Sequence, residues 1–164
     1  MFKLISKTLA AVAMVSVALF GSANAKTLKI ETHFTASSPN GEVAAQFAKN
    51  VEMFSGGSLK IEMFYSSSVT GKSAEVFNSA QTGIIDCDMT GAGYQTGKNA
   101  AFQFAGDVMG GYDNPYQQYE FLNYPGAQDA VDALYNKYGM TLIGWWIPGH
   151  ESLISSRPIP DVAS

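Results

Sequence analysis

Residues 28 to 63 constrain the fold more than any other part of the chain. Leu28-Lys29-Ile30-Glu31-Thr32 alternates apolar and polar side chains, the pattern of a strand with one buried face. Ser38-Pro39 follows, an N-cap hydroxyl and then a proline whose fixed φ suits the first turn of a helix. Ala44, Phe47, Ala48 and Val51 recur at i, i+3, i+4 and i+7 and so form one apolar stripe along that helix. Gly56-Gly57 ends it, because glycine enters a left-handed C-cap without a Cβ clash. Leu59-Lys60-Ile61-Glu62-Met63 then repeats the alternation of the first strand. Strand, helix and strand in this order and at these lengths predict a parallel crossover.

The alternation continues. Ala74, Phe77, Ala80 and Ile84 predict a second helix, broken near Gly83, and residues 86–90 a brief strand that runs into Gly91-Ala92-Gly93. Asn114-Pro115 opens a third helix, with Gln117 placed to close a capping box. Ala127, Ala130, Val131, Leu134 and Tyr138 mark a fourth, ended by Gly139. Thr141 to Ile147 reads as a strand of large apolar residues closed by Pro148-Gly149, and Glu151 to Ser155 as one more. Helices regularly interleaved with strands give an α/β fold with a mostly parallel sheet.

The first 25 residues read as a secretory signal peptide rather than as part of the fold. Lys3 and Lys7 supply the basic start, Leu9 to Phe20 the apolar run, and Ala23-Asn24-Ala25 the small-residue cleavage site. The run falls short of the roughly 20 apolar residues that a spanning helix needs. Cleavage after Ala25 is expected, with export to the periplasm and a mature domain over residues 26–164. Lys plus Arg number 10 against 14 Asp plus Glu, so there is no basic face for nucleic acid. A single cysteine, Cys87, excludes an intrachain disulfide and a cysteine-built zinc site.

Most enzyme signatures fail on named residues. In the run Gly91 to Asn99, a dinucleotide fingerprint needs glycine where Thr96 stands. A phosphate loop needs glycine at Ala92 and Ser or Thr at Asn99. The run reads as a turn after a strand. No G-x-S-x-G elbow occurs, and Ser152, Leu153 and Ile154 after His150-Glu151 rule out H-E-x-x-H. Asp86 and Asp88 would share one strand face, as solvated or capping acids, with Cys87 opposite as a small buried side chain. Position is more informative than motif, because ligands of open α/β sheets sit beyond the carboxyl ends of the strands. Those ends are His33-Phe34, Tyr65 to Ser68, Thr90 to Tyr94 and Pro148 to Glu151. Aromatic walls with a few polar donors suit a small organic ligand. Tyr94, in a glycine-rich turn where packing has little use for it, is the leading candidate, beside Phe34 and Ser68.

Several stretches in order resemble one family. They are Leu28-Lys29-Ile30, Ala45-Gln46-Phe47-Ala48, Val51-Glu52 leading to Ser55-Gly56-Gly57, and Leu59-Lys60-Ile61-Glu62. Phe77-Asn78-Ser79-Ala80-Gln81-Thr82-Gly83 and Ile85-Asp86 complete them. Together they resemble the solute-binding subunits of tripartite ATP-independent periplasmic (TRAP) transporters. Gly93-Tyr94-Gln95-x-Gly97-Lys98 and Gly144-Trp145-Trp146-x-x-Gly149 are similar to the subgroup for 2-oxo or 2-hydroxy monocarboxylates. The resemblance implies a periplasmic-binding-protein-like lobe, the N-terminal part of a two-lobe receptor, and covers nearly all of residues 26–164. Members are considerably longer, so the chain is expected to be a fragment whose second lobe is largely missing. The family's carboxylate-clamping arginine is expected beyond Ser164, which leaves Arg157 a structural role.

Carried over residue by residue, the oxo-acid subgroup's polar contact, seven positions before the basic residue, falls on His150. The arginine of sialic-acid-binding relatives, six positions before it, falls on Glu151. The function so implied is capture of a small organic acid and its delivery to the TRAP membrane subunits for import. No enzymatic activity is implied, and the alternative is an exported α/β hydrolase. No organic cofactor is expected; a sodium or calcium ion bridging the ligand is, with no metal ligand assignable in this chain. A homodimer is a further expected partner, and nucleic acid is not one.

Overall fold

The computed structural model describes residues 25–106, 108, 111–147 and 154–160. The signal-peptide residues 1–24, and with them the expected cleavage, lie outside these, as do His150 and Glu151. Strand β1 (Lys26–Thr32) leads through helix α1 (Pro39–Phe54) to β2 (Leu59–Phe64). Helix α2 (Ser73–Gln81) then leads to the short β3 (Cys87–Met89). Both crossovers are parallel: Lys26 to Glu31 pair with Leu59 to Phe64, and Ile30, Glu31 and Thr32 with Cys87, Asp88 and Met89. Among the described residues the sheet order is β2-β1-β3, so the first strand of the chain is the central one. Two 3-10 turns (Ala92–Gln95 and Ala100–Ala105) and helices α3 (Pro115–Asn123) and α4 (Pro125–Asn136) complete this part of the lobe.

Local chemistry accounts for the boundaries. Ser38 Oγ accepts the Gly41 N–H at 3.1 Å and caps α1 with Pro39 in its first turn. Gly56 and Gly57 then turn the chain at φ of 60° and 79°. Asn114 Oδ1 caps α3 by accepting the N–H groups of Tyr116 and Gln117 at 3.0 and 3.1 Å. Gln117 does reach back, but its carbonyl accepts from Asp113 N–H at 2.9 Å, one residue before the N-cap that a capping box would satisfy. Phe77, Ala92, Phe102 and Leu134 form a buried cluster that joins α2, both 3-10 turns and α4. Phe102 meets Phe77 edge-on at 5.8 Å and Tyr135 at 5.2 Å, spacings at which aromatic quadrupoles attract.

Three sequence expectations need correction. The alternation over residues 28–32 predicts one wet face, yet Ile30, Glu31 and Thr32 are all buried. A strand flanked on both edges and covered on both sides has no outward face to give its polar residues. In the second helix Ile85, beyond the helix end, is the buried residue, while Ile84 is 58% exposed; the turn at Gly83 (φ 75°) breaks the helical period first. Residues 141–147 form no strand. Leu142 N–H donates instead to the Asp132 carboxylate on α4 at 3.1 Å, a side-chain anchor in place of a ladder. Of the strand expected over Glu151 to Ser155, residues 151–153 lie outside the described residues.

Candidate functional site

Parallel pairing in both directions from β1 brings the carboxyl ends of all three strands to one edge of the sheet. The three loops that leave this edge are joined to one another. Ser66 N–H donates to Phe34 O at 2.9 Å and Ser67 N–H to Thr32 O at 3.0 Å, which ties the loop after β2 to the loop after β1. To make these bonds Ser66 and Ser67 both adopt left-handed conformations, φ 58° and 50°. Such φ values are uncommon outside glycine, and two in succession aim consecutive N–H groups at one neighbouring strand end.

Aromatic rings line the edge. His33 lies 3.9 Å from Phe34 between ring centroids and meets Tyr94 edge-on at 5.3 Å, so β1 and β3 contribute to one cluster. Trp146 extends it, 6.1 Å from Phe34. Phe34, His33 and Trp146 are partly buried, whereas Tyr94 is 46% exposed at the mouth of its 3-10 turn. The structure therefore brings Phe34 and Tyr94 together through His33. Ser68 sits on the adjoining loop, exposed, with its N–H donating to Tyr65 O at 3.1 Å. His150 and Glu151 lie outside the described residues. Strand-end position does not point to Trp146, because the strand expected over residues 141–147 places it inside an element.

Two acids behind this rim also depart from expectation. Glu31 is fully buried, and its Oε1 accepts the N–H groups of Val69 and Thr70 at 2.6 and 3.3 Å. Asp88 is partly buried and takes a 2.6 Å hydrogen bond from Thr90 Oγ1. Burial pushes its carboxyl up to about 6, the Thr90 hydrogen bonds oppose that rise, and the charge of Glu31 adds to it. Asp86 is exposed and accepts Lys29 N–H at 2.8 Å, so the two aspartates are not equivalent. Cys87 between them is partly buried, its thiol raised first by burial and then by both carboxylates, which disfavours the thiolate. Among the described residues no three His, Cys, Asp or Glu side chains gather where they could share a metal ion.

The sequence model for "Bacterial extracellular solute-binding protein, family 7" matches residues 30–164. No curated protein matches the chain. Among solved structures, a TRAP periplasmic solute-binding protein from Rhodobacter sphaeroides, in an apo open state, is similar at 26% identity and TM-score 0.66. The match covers 72% of this chain and 37% of that one. A TRAP periplasmic solute-binding protein from Pseudoalteromonas atlantica T6c, with bound sodium and pyruvate, is 20% identical with TM-score 0.64, covering 71% and 35%. An extracytoplasmic solute receptor from Bordetella pertussis, binding pyroglutamic acid, is 22% identical with TM-score 0.60, covering 72% and 38%. The last two similarities show the fold alone. The chain spans little more than a third of the length of these structures.

Proposed function

The chain belongs to family 7 of the bacterial extracellular solute-binding proteins, and we propose that it forms part of a periplasmic TRAP receptor for a small organic acid. The ligand is a 2-oxo or 2-hydroxy monocarboxylate, delivered to the membrane subunits of the transporter for import. The family is one of binding proteins rather than enzymes. The observation that carries the reading is the ring cluster of His33, Phe34 and Tyr94 at the carboxyl edge of a parallel sheet, where such folds hold ligands.

In this reading Phe34 walls the apolar side of the ligand. The Tyr94 phenol and the His150 imidazole each donate a hydrogen bond to a carboxylate or 2-oxo oxygen. Ser68 adds a hydroxyl at the rim, and Glu151 is the alternative contact to His150. The bound sodium and pyruvate of the Pseudoalteromonas atlantica protein support a metal ion beside the ligand. Its ligands come from outside the residues described. Export through the cleaved signal peptide and pairing into a homodimer belong to the same proposal.

Calorimetry on a receptor of the family's full length that contains this chain tests the reading. Pyruvate, longer 2-oxo acids, 2-hydroxy acids and pyroglutamate are titrated in turn, with and without sodium or calcium. Saturable binding of at least one monocarboxylate, recovered chemically unchanged, is expected. Conversion of the ligand to a product would move the chain to the hydrolase class, and silence toward every acid would sink the proposed ligand class.

A further inference from the structure

The β1–β3 register sets Glu31 opposite Asp88. In a parallel ladder, residues paired in this way project to the same face of the sheet from strands about 4.8 Å apart. Glu31 is 0% exposed, and its Oε2 is buried with no hydrogen-bond partner among the described residues. A buried carboxylate oxygen without a donor is costly, and more so with a second acid alongside. Asp88 already spends Oδ1 on the Thr90 hydroxyl. What the pair lacks is one donor hydrogen.

We propose that Glu31 and Asp88 form a proton-binding site, in which two side-by-side carboxyl groups hold one proton from solvent and Asp88 donates it to Glu31 Oε2. Two like charges thereby become one, shared across a hydrogen bond. Because Glu31 Oε1 also receives the N–H groups of Val69 and Thr70, the proton acts on the loop after β2, which carries Ser68. The site is thus a pH sensor behind the rim, independent of which solute the rim holds.

None of the surrounding ionisable groups hydrogen-bonds to Glu31 Oε2 among the described residues. Tyr135 on α4 is raised to about 12 by burial and by Asp88 itself, so it stays neutral throughout. Cys87 on β3 is likewise raised and stays a thiol. Lys29 on β1 and Asp86 before β3 are exposed, and His33 follows just beyond β1 in contact with Phe34 and Tyr94. The sign of the pH dependence follows from Asp88, whose carboxyl lies near 6 when folded against an ordinary value of 3.8. The folded chain binds the proton more tightly than the unfolded chain. Its stabilisation is complete below about pH 4 and is lost as pH rises through about 6.

Thermal melting of the chain between about pH 4.5 and 8, for the parent and for Asp88→Asn, reads this directly. Asparagine keeps the shape and offers Glu31 an amide hydrogen in place of the carboxyl proton. The parent's Tm is expected to fall by several degrees between pH 5 and 7.5 relative to the variant's. At pH 7.5 the variant should match or exceed the parent. Parallel profiles overturn the proposal. Should Asp88→Asn fail to fold, carbon NMR of the parent's aspartate carboxyls decides instead. One midpoint near 6 supports the site, and ordinary midpoints for all of them overturn it. A calcium-dependent rise in Tm at pH 7.5 that disappears in Asp88→Asn would assign the pair to a metal ion and also overturn the proton site.

Discussion

Tyr94 is nearly half exposed although it lies edge-on to His33, so its hydroxyl is not spent on the core. Tyr94→Phe keeps the ring contact and removes only the donor. In the complete receptor we expect ligand affinity to fall about 5- to 150-fold, about 1–3 kcal/mol for a buried hydrogen bond, with Tm unchanged. Calorimetry beside a melting curve separates the two effects. Ser66 presents a different residue-scale test. It is exposed at φ 58°, where a Cβ costs about 1–2 kcal/mol and glycine does not pay that strain. Glycine loses more backbone freedom on folding, about 0.5–1 kcal/mol, so Ser66→Gly should raise stability by up to about 1 kcal/mol in urea melts. The place of Phe34 and Tyr94 at the carboxyl edge of the sheet is legible in the sequence because strand ends are. That of Glu31 is not, since alternation cannot tell a central strand from an edge strand, and its burial depends on β3, which lies far along the chain.

Each element carries its own balance of propensity against packing. Gly41 sits in the first turn of α1, where alanine would favour helix by about 1 kcal/mol. A Cβ there, however, would run into the backbone of Thr35 and Ala36, and backbone cannot swing aside. Gly41→Ala is therefore expected to lower Tm despite the better helix former; an increase would show that the loop before α1 yields. In α2, Phe77 is completely buried and meets Phe102, Tyr135 and Tyr138. Phe77→Ala should cost about 3–5 kcal/mol in denaturant melts, the usual range for emptying an aromatic site. Helices were readable because their stripes and caps are local, as Ser38 and Asn114 illustrate. Residues 141–147 have the composition of a strand, but composition does not provide a neighbour to pair with, and the Asp132 anchor was invisible to pattern.

At the scale of the whole receptor, binding and stability are linked. A ligand held only by the folded state should raise stability by about 2.7 kcal/mol at a hundredfold excess over its Kd, visible as a Tm that climbs with ligand concentration. The same scale shows what it means for the first strand to be the central one. No hairpin can start this sheet. Lys29 meets Asp86 across 57 residues, so β1 must wait for distant segments before it is enclosed. Loop closure has to precede the contacts that reward it, and such non-local topologies fold in milliseconds to seconds rather than microseconds. For a chain that emerges N-terminus first, this delay is useful. The leading strand has no neighbour to pair with until β2 has followed it, so it cannot lock prematurely, and the lobe closes around it only when β3 arrives.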